Sequence, residues 1–220
     1  MNESLEECFA LMETLVQCRQ QPISVRLRKI RHRYSMLHED VLLLIYHLSK
    51  VVVGNILEIG PYLGGSTIAA GFGVRDSSAL KTIVTVEPGG RFKHPRLSSE
   101  DILRDLKKNL ARQDLAPLVT LVPGHSGKEE TVVAVHRHLP PASVGLFIFD
   151  ADAGIDRDLR LYRDLFEDRA WVVIDDYYSA GDGEKADRIR PRVDALVAAG
   201  ELSSLGLYGW GTWIGRWCRR

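Results

Sequence analysis

From residue 55 onward the chain alternates short, nearly unbroken apolar runs with segments of helical periodicity, and several of the runs stop at a carboxylate. Residues 55–59, 82–86, 119–122, 144–149 and 171–174 read as strands. Residues 66–70, 101–110, 128–138, 159–166 and 186–199 read as the helices that follow them. Strands that are apolar on both faces, each followed by a helix, demand a parallel sheet covered on both sides. Two final runs, 202–207 and 212–217, are joined only through Gly209, Trp210 and Gly211, so they form a hairpin and the last strand runs antiparallel. The expected fold is therefore α/β: a Rossmann-like, doubly wound, mostly parallel seven-stranded sheet with an antiparallel last strand, plus N-terminal helices.

Those N-terminal helices occupy residues 3–19, with Leu5, Phe9, Met12 and Val16 at helical spacing, and 38–50. Between them lies a basic run, 26–33, which reads as a solvated face or a patch against a partner subunit. Residues 1–34 are expected to form a lid or a dimerisation arm, and 35–220 the main domain. Lys plus Arg and Asp plus Glu each total 29, so the charges cancel, which argues against a nucleic-acid binder with a broad basic surface. The three cysteines (Cys8, Cys18 and Cys218) have no metal-ligand spacing and fit a reduced, cytoplasmic setting. The start of the chain is acidic before it is apolar, unlike a signal peptide, and the longest apolar run, 41–45, is far short of a membrane span.

In an open parallel sheet, ligands bind beyond the carboxyl ends of the strands, so the chemistry is sought there. After the first strand comes Glu58-Ile59-Gly60-Pro61-Tyr62-Leu63-Gly64-Gly65-Ser66-Thr67. Its glycines allow close approach to the backbone, and Ser66 and Thr67 stand where a helix begins, with donors aimed at an anion. The spacing is not that of a dinucleotide fingerprint, which disfavours NAD. Glu87 closes the second strand, where a carboxylate can accept both hydrogen bonds of a ribose diol. The fourth strand ends in Asp150-Ala151-Asp152-Ala153 and the fifth in Asp175-Asp176-Tyr177-Tyr178. Carboxylates gathered at one rim repel, so the cluster implies a cation or a shared proton, and hard oxygen donors suit Mg²⁺, Mn²⁺ or Ca²⁺.

These motifs resemble class I S-adenosylmethionine (SAM)-dependent methyltransferases. The resemblance covers roughly residues 35–217 and is closest to divalent-metal-dependent small-molecule O-methyltransferases of the catechol and macrocin sugar types. It implies that Glu58, Gly60, Tyr62, Gly64 and Ser66 hold the methionine part of SAM, and that Glu87 holds the ribose. Gly124, His125 and Ser126 would lie beside the adenine, and Asp150 would border the cofactor. Asp150, Asp175 and Asp176 would coordinate the metal, most simply Mg²⁺, which would bind a substrate hydroxyl. In one respect the chain departs from the pattern. The catechol type carries a lysine base, and many sugar-type relatives a histidine, three residues after the first metal aspartate, where this chain has Ala153. Asp152 is the substitute candidate, acting with Asp150 as the catalytic pair.

The expected activity is methyl transfer from SAM to a hydroxyl of a sugar-bearing or polyhydroxylated small molecule, by a homodimer acting on neither membrane nor nucleic acid. The alternatives are a metal-independent N- or O-methyltransferase and a non-catalytic cofactor-binding partner, for which Ala153 is the main argument. Tyr177 or Tyr178 is expected to line the acceptor pocket, and Trp210 and Trp213 to serve as core or dimer contacts. Residues 179–185 have the composition of a loop that closes over substrate, and His94 reads as a surface histidine.

Overall fold

The computed structural model describes residues 3–152, 154–179 and 183–219. Its centre is a seven-stranded sheet in the order β3-β2-β1-β4-β5-β7-β6. The strands are β1 (Asn55–Ile59), β2 (Ile83–Glu87), β3 (Val119–Pro123), β4 (Val144–Phe149), β5 (Phe166–Ile174), β6 (Leu202–Tyr208) and β7 (Thr212–Trp217). Strands β1 to β5 pair in parallel, whereas β7 is antiparallel to both of its neighbours, β5 and β6. The order reverses between β1 and β4, so the crevice of this fold opens at their carboxyl ends.

Alternate residues of the strands feed two cores, one on each face of the sheet. Ile56, Leu146, Ile148 and Val173 join the core under α1 (Glu3–Arg19), α2 (Pro22–Tyr34), α3 (Glu39–Val51), α4 (Gly65–Arg75) and α5 (Ile102–Arg112). Leu57, Phe147, Phe149, Val172 and Ile174 join the core under α6 (Glu129–His138), α7 (Ile155–Tyr162) and α8 (Glu184–Ala198). Burial on both faces is what made the strands read as unbroken apolar runs.

The basic run after residue 25 belongs to a helix, α2, started by Pro22 in its first turn. Its apolar side, Leu27, Ile30 and Tyr34, is buried, while its basic residues other than the half-buried Arg31 are exposed. The apolar residues of α1 that mark its helical spacing face outward. Leu11 and Cys18 are buried, whereas Leu5, Phe9, Met12 and Val16 are exposed by 46–56%. The expected helix over 159–166 begins earlier and ends at Tyr162, because Arg163–Leu165 tightens into a 3₁₀ turn and Phe166 already pairs with Val144. No described helix is long and apolar enough to cross a membrane. Ala153, the site of the missing base, and residues 180–182 of the expected closing loop lie outside the described residues, whereas Glu184 and Lys185, expected in that loop, already belong to α8.

Helices α3 and α4 pack closely because α4 is built largely from small residues. A Cβ on Gly73 would lie 2.2 Å from the carbonyl oxygen of Tyr46 and 2.8 Å from Cβ of Ser49. Backbone cannot yield as a side chain does, so Gly73→Ala should lower unfolding free energy in urea by about 1–3 kcal/mol. A variant as stable as the parent would show that α3 and α4 are free to separate.

Candidate active site

The glycine turn after β1 is held against the end of β4. Gly60 has φ of +84°, and a Cβ there would meet the Asp150 carbonyl oxygen at 2.3 Å. Only glycine combines that backbone conformation with that approach. Asp150 N donates to Ile59 O at 2.9 Å, and Gly60 N donates to Val86 O at 3.0 Å, so the ends of β4, β1 and β2 are tied at one point. Tyr62, two residues on, is also left-handed, with φ of +51°. Its N–H donates to Glu87 Oε2 at 3.1 Å, its hydroxyl donates to Leu97 O, and its ring meets Phe92 edge-on.

Glu87 is buried and held by two backbone donors, Tyr62 N and Gly89 N, the latter 2.9 Å from Oε1. Burial raises its pKa, against the lowering effect of those two N–H groups. Around it lies a cavity of about 420 Å³ whose walls include Gly60, Tyr62, Glu87, Gly124, His125, Ser126 and Asp150. Seven of the expected cofactor residues therefore line one cavity. Ser126 is fixed from behind: its hydroxyl donates to the fully buried Asp158 at 2.7 Å, and its carbonyl accepts from Tyr162 OH at 2.7 Å. Arg157 binds the same Asp158 and reaches the cavity rim.

Glu58, Gly64 and Ser66 are not in that wall. Glu58 is buried beneath the turn, where its Oε2 accepts from Thr67 Oγ1 at 2.6 Å and Thr85 Oγ1 at 3.1 Å, and its Oε1 has no partner. Burial raises its pKa against the lowering effect of surrounding hydroxyls. Gly64, with φ of +90°, caps the N-terminus of α4. These residues shape the turn from behind.

A second cavity, about 530 Å³, adjoins the first and shares Met36, Phe92, Asp150, Ala151, Asp152 and Lys185 with it. Its floor is acidic: carboxylate oxygens of Asp150, Asp175 and Asp176 all lie within 4.8 Å of one another, the one such group among the described residues able to hold a metal. Asp176 sits at φ of +54°, a strained position that an aspartate tolerates better than most side chains. Asp175 Oδ1 accepts from Thr212 Oγ1 at 2.6 Å, so β7 anchors the floor. Lys185 reaches in from α8, its Nζ lying 2.9 Å from Asp150 Oδ1 and 2.6 Å from Asp176 Oδ2. Asp152 is more peripheral, three-quarters exposed and 3.9 Å from Arg157.

Met36, Leu37 and His38 in the wall of this cavity gave no signal in the sequence, whereas Trp210, another wall residue, was expected as a core or dimer contact. Met36, Leu37 and His38 come from the link between α2 and α3, and Trp210 from the β6–β7 turn. Trp210 is 57% exposed and is held by His38, 5.1 Å away edge-on, and by the Arg31 guanidinium, 4.8 Å above its ring. It is thus a wall of the cavity, whereas Trp213 is buried in the core as expected. Tyr178 lines the cavity, fixed by its N–H to Gly211 O at 3.1 Å, and Tyr177 turns away to Asp194. His94 accepts from Arg96 N and Leu97 N and organises its own surface loop.

A doubly wound sheet in this strand order, with a glycine turn after β1 and a buried acid closing β2, is the fold of class I SAM-dependent methyltransferases. The chain belongs to the methyltransferase-domain family, whose profile matches residues 57–177. No curated protein matches it by sequence. Among solved structures it is similar to the O-methyltransferase TomG of Streptomyces achromogenes, involved in tomaymycin synthesis and solved with SAM: 15% identity over 91% of each chain, TM-score 0.60. It is similar to the Podospora anserina methyltransferase PaMTH1 bound to SAH, at 17% identity over 100% of this chain and 97% of that one, TM-score 0.66. An O-methyltransferase from Bacillus cereus in complex with SAH matches at 16% identity over 100% of this chain and 92% of that one, TM-score 0.60.

Burial and the neighbouring carboxylates push Asp175 up to about 7, while Thr212 and Lys185 pull it down. A folded-state pKa above the unfolded value means that the folded protein keeps a proton which the unfolded chain has already released. Asp175 therefore weakens the fold progressively as pH rises from about 4 towards 7. In EDTA, Asp175→Asn should flatten the fall in melting temperature across that window. An unchanged pH profile would show that Asp175 titrates like a surface carboxylate.

Proposed function

We propose that the protein transfers a methyl group from SAM to a hydroxyl of a small-molecule acceptor, with a divalent cation held by Asp150, Asp175 and Asp176. The observation that carries this reading is the seam between the two cavities, where Asp150 borders both. Gly60 and Tyr62 face the methionine part of SAM, with Glu58, Gly64 and Ser66 shaping the turn behind them. Glu87 accepts from the ribose hydroxyls; both its oxygens are already oriented by backbone donors, so little ordering is left to binding. Gly124, His125 and Ser126 meet the adenine. When bound, SAM supplies an electrophilic methyl carbon, and a divalent cation supplies positive charge that orients an acceptor hydroxyl and lowers its pKa.

The chain's own task is alignment. Three oxygen-donor carboxylates suit Mg²⁺ or another hard cation, and they lie on the acceptor side of Asp150. Met36, Phe92, Tyr178 and Trp210 wall that side and exclude water from an acceptor laid against them. The acidic floor suits a polyhydroxylated face, and the aromatic walls suit a flat apolar one. TomG's part in tomaymycin synthesis is in keeping with a secondary-metabolite acceptor. Asp152, on the rim of both cavities, is placed to take the hydroxyl proton out to solvent. The link between α2 and α3 forms one wall of the acceptor cavity, and Arg31 of the N-terminal arm lies over Trp210 in that wall. The exposed stripe of α1 supports a homodimer, and the three free cysteines suit a reduced, cytoplasmic setting.

A second reading is favoured by one observation, the Lys185 ammonium already seated between Asp150 and Asp176: methyl transfer without a metal. EDTA separates the two. Under the first reading EDTA abolishes transfer, Mg²⁺ restores it, and Asp150→Asn is nearly inactive; full activity in EDTA supports the second. For the cofactor, Glu87→Ala should weaken SAM binding by about 10–100-fold in a calorimetric titration, the scale of hydrogen bonds to a charged group. Unchanged affinity would remove Glu87 from the cofactor site.

A further inference from the structure

Lys185 is the second residue of α8. The first turn of a helix carries the positive end of its dipole, so a cation there is locally unfavourable. Helix formation therefore does not account for this lysine, and its neighbours in the first turn, Glu184 and Asp187, are the acids that position favours. Its side chain instead spans the seam of both cavities and places Nζ 2.9 Å from Asp150 and 2.6 Å from Asp176. Those are two of the three carboxylates whose oxygens come together as a possible cation site. The third, Asp175, is held by Thr212 instead. An ammonium within 3 Å of two of these carboxylates takes up oxygen lone pairs that a divalent ion needs, and two cations in one such shell repel strongly.

We propose that Lys185 is the site's own cation, competing with the divalent ion for Asp150 and Asp176 and so setting the concentration at which the ion enters. This rests on the metal reading of the acidic trio given above. The lysine keeps the three carboxylates partly neutralised when no ion is bound, and a divalent ion with twice the charge displaces it. A chain with this lysine takes up the ion more weakly than the same three carboxylates would alone.

The test is binding of Mn²⁺ alone, without SAM or acceptor, followed by titration calorimetry and by loss of the free Mn²⁺ paramagnetic resonance signal. The full-length protein, Lys185→Met and Lys185→Gln are compared at one pH and ionic strength, with Asp175→Asn reporting whether the ion sits at the trio. Removing the competing charge should tighten Mn²⁺ binding by about tenfold or more in both lysine variants. In EDTA both should melt below the parent, and Mn²⁺ should raise their melting temperature more than it raises the parent's. If Lys185→Met does not fold without metal, the uncharged polar variant Lys185→Gln decides the question. Equal or weaker Mn²⁺ binding in the lysine variants overturns the proposal while leaving the metal site intact. Absence of Mn²⁺ binding at the trio in every protein, with Asp175→Asn indistinguishable from the parent, overturns the metal reading and the proposal together.

Discussion

The backbone of Gly60 lies against the carbonyl of Asp150, and the active site depends on that contact. The strand order reverses between β1 and β4, so the helices that follow these strands depart to opposite faces and leave a crevice. A turn that bulged at Gly60 would separate the acid closing β2 from the acids closing β4 and β5. The left-handed glycine instead brings the peptide of β1 onto that of β4, and Tyr62 N–H then reaches Glu87. The two cavities meet at Asp150 because the backbone leaves no room for anything between them.

The second cavity draws part of its wall from two segments far apart in the sequence. The α2–α3 link contributes Met36, Leu37 and His38, and the β6–β7 hairpin contributes Trp210, Gly211 and Thr212. His38 and Arg31 fix the Trp210 ring, so the two ends of the chain hold each other as well as the cavity. Beneath them burial, and after it the neighbouring carboxylates, raise Asp175 and Asp150 above the ordinary carboxylate value. A low-dielectric floor of this kind strengthens every charge interaction made upon it.

How much of this was legible in the sequence depended on how local each signal was. The doubly wound sheet followed from apolar runs ending at acids, and β1, β4 and β7 fell at the expected residues. The carboxylates after β4 and β5 and the turn after β1 were legible because topology alone brings strand ends together. Trp210 and Met36 were not, since nothing in a loop's composition states which cavity it overhangs. Lys185 was hidden for a different reason: a lysine near a helix start looks like a solvated charge until the neighbouring strand ends are placed. Glu58, Gly64 and Ser66 sit in the right motif yet build the turn instead of lining its cavity, a distinction of side-chain direction that spacing does not carry. The stripe of α1 was legible as helical spacing, but periodicity marks an apolar face without saying what it faces.

The reversed strand β7 has a consequence for the order in which the site comes into being. Thr212, which holds Asp175, is the first residue of β7, and β7 is also the partner that covers the edge of β5. Strands β1 to β5 all precede this strand in the chain, so synthesis reaches it after them. A nascent chain lacking β7 has its nucleotide-side turn in place, an open edge on β5, and an Asp175 carboxyl without its hydroxyl donor. Asp175 thus gains its hydroxyl donor only once β7 has docked on β5.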